Sequence, residues 1–183
     1  EVYREYVYDG EKQVSMLEFP EIAEHSIIID SESKRYSMCG VRIGCLVTRS
    51  KTLHNAAMLF AQARLSPVLI GQILATAAHN DDAEYINSVR EEYTKRRNLL
   101  VELLNEIPGV KCPKPKGAFY CVAELPVEDA DDFAQWMLES FSDNGETVMV
   151  APASGFYSVP ELGKKQVRIA YVLKEEDLRR SVE

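Results

Sequence analysis

The pattern of apolar and polar positions divides the chain into short strands and long helices. Ser26-Ile27-Ile28-Ile29 is a continuous β-branched run with polar residues on both sides, the signature of a buried strand in a parallel sheet. The polar cluster Asp30-Ser31-Glu32-Ser33-Lys34 follows as a loop at the strand's C-terminal end, the edge where open α/β sheets bind ligands. A second short strand is expected over residues 44–48. Ser50 is an N-cap residue type, and Leu53, Ala56, Ala57 and Phe60 fall on one face of a helix running to about residue 63. Pro67 suits the first turn of a further helix ending near Asn80. Asp82 starts a long helix bearing Tyr85, Ile86, Val89, Tyr93, Leu99, Leu100, Leu103, Leu104 and Ile107, which Pro108-Gly109 stops. Beyond it the spacing predicts strands over 117–123, 146–150 and 166–172, a helix over 129–141, and a last helix from Glu175. The order implies an α/β chain in two parts: residues 1–90 with the first strands, and a smaller α+β domain over 91–183 that begins within the long helix.

Composition narrows the function without naming it. At 183 residues, 46% apolar and 27% charged, the chain has the make-up of a soluble globular protein with a real core. The net charge of −8 and the lack of any basic stripe argue against a nucleic-acid partner, and Lys95–Arg97 reads as a solvated helix face. No stretch approaches the roughly 20 apolar residues of a membrane span. The opening Glu1-Val2-Tyr3-Arg4-Glu5 has neither a signal-peptide pattern nor an initiator Met, so a cytoplasmic chain cut from a longer one is expected. Cys39, Cys45, Cys112 and Cys121 form no CxxC pair and have no nearby histidine at ligand spacing. They read as buried or half-buried free thiols, with no metal site.

The chemistry concentrates in residues 31–44, Ser-Glu-Ser-Lys-Arg-Tyr-Ser-Met-Cys-Gly-Val-Arg-Ile-Gly. Two hydroxyls, permissive glycine backbone and the guanidinium of Arg42 make a phosphate cradle, because arginine meets phosphate with a two-pronged fork. A lysine partly desolvated beside such a cradle becomes a usable amine nucleophile. On the residues alone, a solvated lysine in a surface loop accounts for Lys34 equally well.

This segment resembles the cofactor-lysine signature of the class I and II aminotransferases, with Ser31, Ser33, Lys34, Tyr36, Met38, Gly40, Arg42 and Gly44 in register. The resemblance covers essentially the whole chain. Glu1-Val2-Tyr3 is similar to the end of the family's Asp-Glu-x-Tyr strand terminus, Gly117-Ala118-Phe119-Tyr120 to a strand of its small domain, and Gln166-Val167-Arg168-Ile169-Ala170-Tyr171 to the strand with the substrate-carboxylate arginine.

The resemblance implies the C-terminal part of the fold type I architecture of enzymes dependent on pyridoxal 5′-phosphate (PLP), namely a remnant of the large parallel-sheet domain plus the small domain. Lys34 would carry PLP as a Schiff base and serve as the proton shuttle. Ser31 and Arg42 would hold the phosphate, Tyr3 the phenolic oxygen, and Arg168 the α-carboxylate. The implied activity is amino transfer between an α-amino acid, aspartate-like, and a 2-oxo acid, in a homodimer. A silent PLP-fold dimerisation or regulatory module, or a lyase or decarboxylase of the same fold, are the alternatives. The family's pyridine-pairing Asp would precede Glu1, so this chain by itself is expected to be inactive. Ser66-Pro67 replaces the family's Asn-Pro, and Arg64 just before it either meets a distal substrate carboxylate across the dimer or simply ends a helix. Pro152-Ala153-Ser154-Gly155-Phe156-Tyr157 departs from the family's Pro-Gly-aromatic pattern.

Overall fold

The computed structural model describes residues 1–80 and 83–183. The chain divides into two compact units, Glu1–Arg90 and Glu91–Glu183. In the first, strand β1 (Ile28–Ser31) runs directly into α1 (Glu32–Arg35), a single helical turn. Strand β2 (Gly44–Val47) returns antiparallel to β1, with Asp30 opposite Cys45 and Ser31 opposite Gly44. Gly44 is a requirement of this pairing, since a Cβ there would lie 2.7 Å from the Asp30 carbonyl oxygen. Helix α2 (Lys51–Arg64) starts where Ser50 Oγ accepts the Leu53 N–H, as its residue type predicts. Helix α3 (Leu69–Ala78) approaches the turn at Cys39–Val41 so closely that a Cβ on Gly71 would meet Ile43 Cγ1 at 2.8 Å.

Three expectations change in this unit. The apolar run at 26–29 does not pair in parallel among the described residues. Its partner is the antiparallel β2, and only one of its faces is covered, with Ile28 6% exposed and Ile29 57%. A continuous apolar run specifies that both faces can be covered, not which element covers them. Lys34 sits on a helical turn and not in a loop, because Ser31 Oγ accepts the Ser33 N–H and caps that turn. Phe60 is exposed although it shares a face with Leu53 and Ala57, and Leu59, Leu69, Ile70 and Ile73 are exposed as well. The start of the long helix at Asp82 lies outside the described residues.

The second unit holds most of the core. Helix α4 (Ala83–Glu106) contributes Leu99, Leu100, Val101 and Leu104, and ends before Gly109, whose φ of 87° no side chain would readily adopt. Strands β3 (Tyr120–Glu124), β4 (Ala151–Pro152) and β5 (Gln166–Ala170) form an antiparallel sheet in the order β3-β5-β4. Helices α5 (Ala130–Glu139) and α6 (Glu175–Arg180) add Ala130, Ala134 and Leu178 to the same core. Burying each Leu-sized side chain contributes roughly 1.5–3 kcal/mol. The first strand starts later than its sequence pattern suggests, because Ala118 has φ 59°. The expected strand over 146–150 is absent: Asp143 and Glu146 pair across a tight turn with Asn144 and Gly145 at positive φ, and the chain reaches the sheet edge only at Ala151.

Two surface expectations are also corrected. Arg97 is no solvated residue: it is 0% exposed, its Nη1 donating to the Pro115 carbonyl and its Nε and Nη2 to Asn98 Oδ1. A run of three cations predicts solvent only where no acceptor waits inside, and here two do. Cys112 and Cys121 are buried, but Cys39 and Cys45 are exposed, and all four are free. A hydrogen bond from the Cys121 thiol to the Cys112 sulfur, together with burial, pushes Cys121 up, which keeps it protonated. Among the described residues no helix is long and apolar enough to cross a membrane.

Gly44→Ala is expected to destabilise the chain by about 1–3 kcal/mol through overpacking against the Asp30 carbonyl, read by urea unfolding. Unchanged stability would show that β1 and β2 can separate without loss.

Candidate functional site

The geometry of the site begins with the joint between β1 and α1. Arg35, 4% exposed, donates Nη2 to Asp30 Oδ2 at 2.9 Å, and its Nε and Nη1 lie 3.2 Å from Glu5 Oε1 and 3.7 Å from Glu32 Oε2. The Glu5 contact has ion-pair distance without hydrogen-bond alignment. Arg4 Nη1 reaches Asp30 Oδ2 at 3.3 Å, and the Ser31 N–H donates to Asp30 Oδ1 at 2.9 Å. On the far side, Glu32 Oε1 is 3.2 Å from His79 Nε2, and His79 Nδ1 is 3.0 Å from the Tyr36 hydroxyl. Burial pushes the Asp30 carboxyl up, but the Ser31 N–H and the Arg35 and Arg4 charges outweigh it and hold the group below the ordinary carboxylate range.

Lys34 lies between these anchors. It is half-buried on α1, and its carbonyl accepts the Tyr6 hydroxyl at 2.7 Å. Tyr3 stands edge-on to the same Tyr6 ring, with centroids 6.5 Å apart. Next to the turn is a cavity of about 360 Å³ whose walls include Ser31, Ser33, Arg42, Gly44 and Arg64. Lys34 and Tyr3 are not among its wall residues. Ser31 Oγ is 2.9 Å from Ser33 Oγ and 3.0 Å from the Ile43 carbonyl oxygen. Arg42, at φ 60°, turns back to donate Nη1 to the Cys39 carbonyl at 2.8 Å. Its other N–H groups, and the guanidinium of Arg64, meet no acceptor among the described residues. The structure thus brings together Ser31, Ser33 and Arg42 and adds Arg64, which sequence reasoning left undecided.

Arg168 belongs to the second unit. It sits on the central strand β5, opposite Val122 and Ala151, and is half-buried. Its guanidinium carbon is 4.7 Å from the Tyr120 ring centroid and 4.9 Å from that of Phe156. Among the described residues no carboxylate pairs with it.

A family model described as aminotransferase class I and II matches residues 1–183. The chain belongs to the class I and II aminotransferases. It is 32% identical to the aspartate aminotransferase of Bacillus subtilis (strain 168), over 100% of this chain and 46% of that protein. It is 30% identical to aromatic-amino-acid aminotransferase 2 of Thermococcus litoralis, again over 100% of this chain and 46% of that protein. The crystal structure of the aromatic aminotransferase from Pyrococcus horikoshii OT3 is similar with a TM-score of 0.85 at 28% identity, covering 99% of this chain and 47% of that one. The chain therefore spans about half the length of the curated relatives it matches. The α/β architecture and this coverage agree with the expected C-terminal part of fold type I.

PLP is the cofactor of this aminotransferase family, and the donors lining this cavity fit its phosphate. Two serine hydroxyls and two guanidiniums with unused N–H groups line one cavity, the donor set a dianion needs. Sequence reasoning missed Arg35 and its carboxylates, since Asp30, Glu32 and Glu5 become neighbours only when β1, α1 and the leading segment meet. It also missed the rings around Arg168. Their one trace in the sequence is the alternation of β3, which sets Tyr120 on the face of Val122.

Asp30, its carboxyl held low, contributes stability that is present above its unfolded value and lost as pH falls through the folded one, a window below about pH 4. Asp30→Asn should cost about 1–3 kcal/mol at neutral pH, because Arg35 loses its hydrogen-bonded carboxylate and keeps only Glu5 and Glu32, and should flatten the acid limb of a pH series of urea unfolding. A variant profile parallel to that of the unaltered chain down to pH 2 would remove the pair from this role.

Proposed function

We propose that this chain supplies part of the active site of a PLP-dependent aminotransferase that moves an amino group between an aspartate-like α-amino acid and a 2-oxo acid. One observation carries the proposal: Ser31, Ser33, Arg42 and Arg64 line a single cavity beside the turn that bears Lys34. A silent scaffold has no use for two arginines whose donors await an anion. Several curated relatives named aspartate aminotransferase support the aspartate-like substrate.

When bound, PLP supplies an electron sink for the negative charge that develops at the substrate's α-carbon. Ser31, Ser33, Arg42 and Arg64 would hold its phosphate, and the Tyr3 hydroxyl would donate to its phenolic oxygen. Lys34 Nζ would hold the cofactor, and its amine would be the group that moves a proton at the substrate's α-carbon. The short capped turn restricts where that amine can go, which is catalysis by positioning. Arg168 takes the α-carboxylate in its fork and fixes which α-carbon bond faces the amine. In this reading residues 1–90 are part of the large PLP-binding domain and 91–183 the small domain. The exposed apolar residues of α2 and α3 support a covered, homodimeric state, and the composition suits the cytoplasm.

In the intact protein, Lys34→Ala should lower amino transfer to 2-oxoglutarate by about a thousandfold or more, since it removes the proton carrier. Turnover within tenfold of the unaltered enzyme would sink the assignment. Arg168→Ala should reduce kcat/KM for α-amino acids by about two to three orders of magnitude. An unchanged value would mean that this arginine serves only the sheet.

A further inference from the structure

Arg168 differs from the other inward-facing arginines in the company it keeps. Arg35 has its charge compensated by carboxylates, and Arg97 donates to carbonyl and amide oxygens, so both are engaged within the protein. Arg168 has two aromatic rings instead, Tyr120 at 4.7 Å and Phe156 at 4.9 Å. A ring attracts the cation through its π face and leaves the in-plane N–H donors unused. It also displaces water from the guanidinium, so the charge stays available and weakly hydrated.

The rings are themselves held. Tyr120 begins β3 and packs on Phe119, with centroids 4.7 Å apart. Phe156 is 56% exposed, an unusual place for a phenyl ring, yet its turn is firmly built. Ala153 is buried and donates its N–H to the Gln166 carbonyl, Ser154 Oγ lies 2.6 Å from Asp131 Oδ2, and the Tyr157 hydroxyl donates to Gln166 Oε1 at 2.6 Å. A Cβ on Gly163 would lie 2.5 Å from the Ala153 carbonyl oxygen, so the following segment closes tightly on this turn. The loop that departs from the family's Pro-Gly pattern thus ends by delivering an exposed ring to Arg168.

We propose that Phe156, with Tyr120, is a positioning residue that holds the Arg168 guanidinium with its fork open to a planar carboxylate ligand. The inference rests on the role given to Arg168 above and adds the means by which this chain keeps that fork aligned without an acidic partner. Phe156 touches no reacting atom in this scheme. It sets the orientation and hydration of the group that does.

The test uses the intact protein and succinate as a carboxylate probe, so that it does not depend on turnover. Calorimetric titration should show succinate binding that Arg168→Ala removes and that Phe156→Leu weakens by about five- to twentyfold. Phe156→Tyr, which keeps the ring, should stay within about twofold of the unaltered protein. Where amino transfer is measured, Phe156→Leu should raise KM for the amino acid by the same factor with kcat within about threefold. Succinate affinity unchanged by Phe156→Leu, Phe156→Tyr as damaging as Phe156→Leu, or no succinate binding by the unaltered protein would each overturn the proposal. Succinate binding with this pattern in a protein that transfers no amino group would uphold it and overturn the proposed function alone.

Discussion

The buried ion pair between Arg35 and Asp30 is the constraint on which the first unit's chemistry depends. Asp30 is the penultimate residue of β1 and Arg35 closes the helical turn after it, so the 2.9 Å contact between them fixes the angle at which one leads into the other. Lys34 and both cradle serines lie within that span. A buried pair of this kind adds little net stability over an apolar alternative, because desolvation consumes most of the attraction. Its effect is directional: Asp30 also takes the Ser31 N–H and Arg4, Arg35 also meets Glu5 and Glu32, and few other arrangements would satisfy all of these groups. The turn is held from the leading segment as well, by Tyr6 on the Lys34 carbonyl.

Charge is used in opposite senses at the two arginine-bearing regions. Around Arg35 the carboxylates outnumber the guanidiniums and balance their charge, which makes a structural joint. At the cradle the arginines meet almost nothing within the described residues, so Arg42 and Arg64 present donors to an anion. A chain of net charge −8 thereby concentrates positive potential in one cavity. Arg168 follows a third arrangement, with rings for neighbours and its fork left open.

Residues 31–44 were the most legible part of the chain. The serines, Arg42 and Gly44 belong together because a strand pairing, a helix cap and a polar cavity wall each demand particular residue types at short spacing. Gly44 is an example, since its absence of a Cβ is what lets β2 pass the Asp30 carbonyl. The helix starts at Ser50 and the helix stop at Pro108-Gly109 were legible for the same reason, being local. The strand expected over 146–150 failed where a turn at Asn144-Gly145 took over, and Arg97 failed because the segment that buries it brings the Pro115 carbonyl from beyond the immediate run.

By itself, the sequence determined the α/β class and, through its lysine signature, the family, and it singled out Ser31, Lys34, Arg42 and Arg168 as candidate site residues. Each of these follows from local backbone geometry or from a motif read along one segment. Tertiary structure alone decided what surrounds them: the carboxylates on Arg35, the inclusion of Arg64 in the cradle, the rings beside Arg168, and the antiparallel partner of β1. The physical reason is range. Caps, turns and strand alternation act over a few residues, while ion pairing, ring contact and cavity formation depend on segments tens of residues apart arriving at one place.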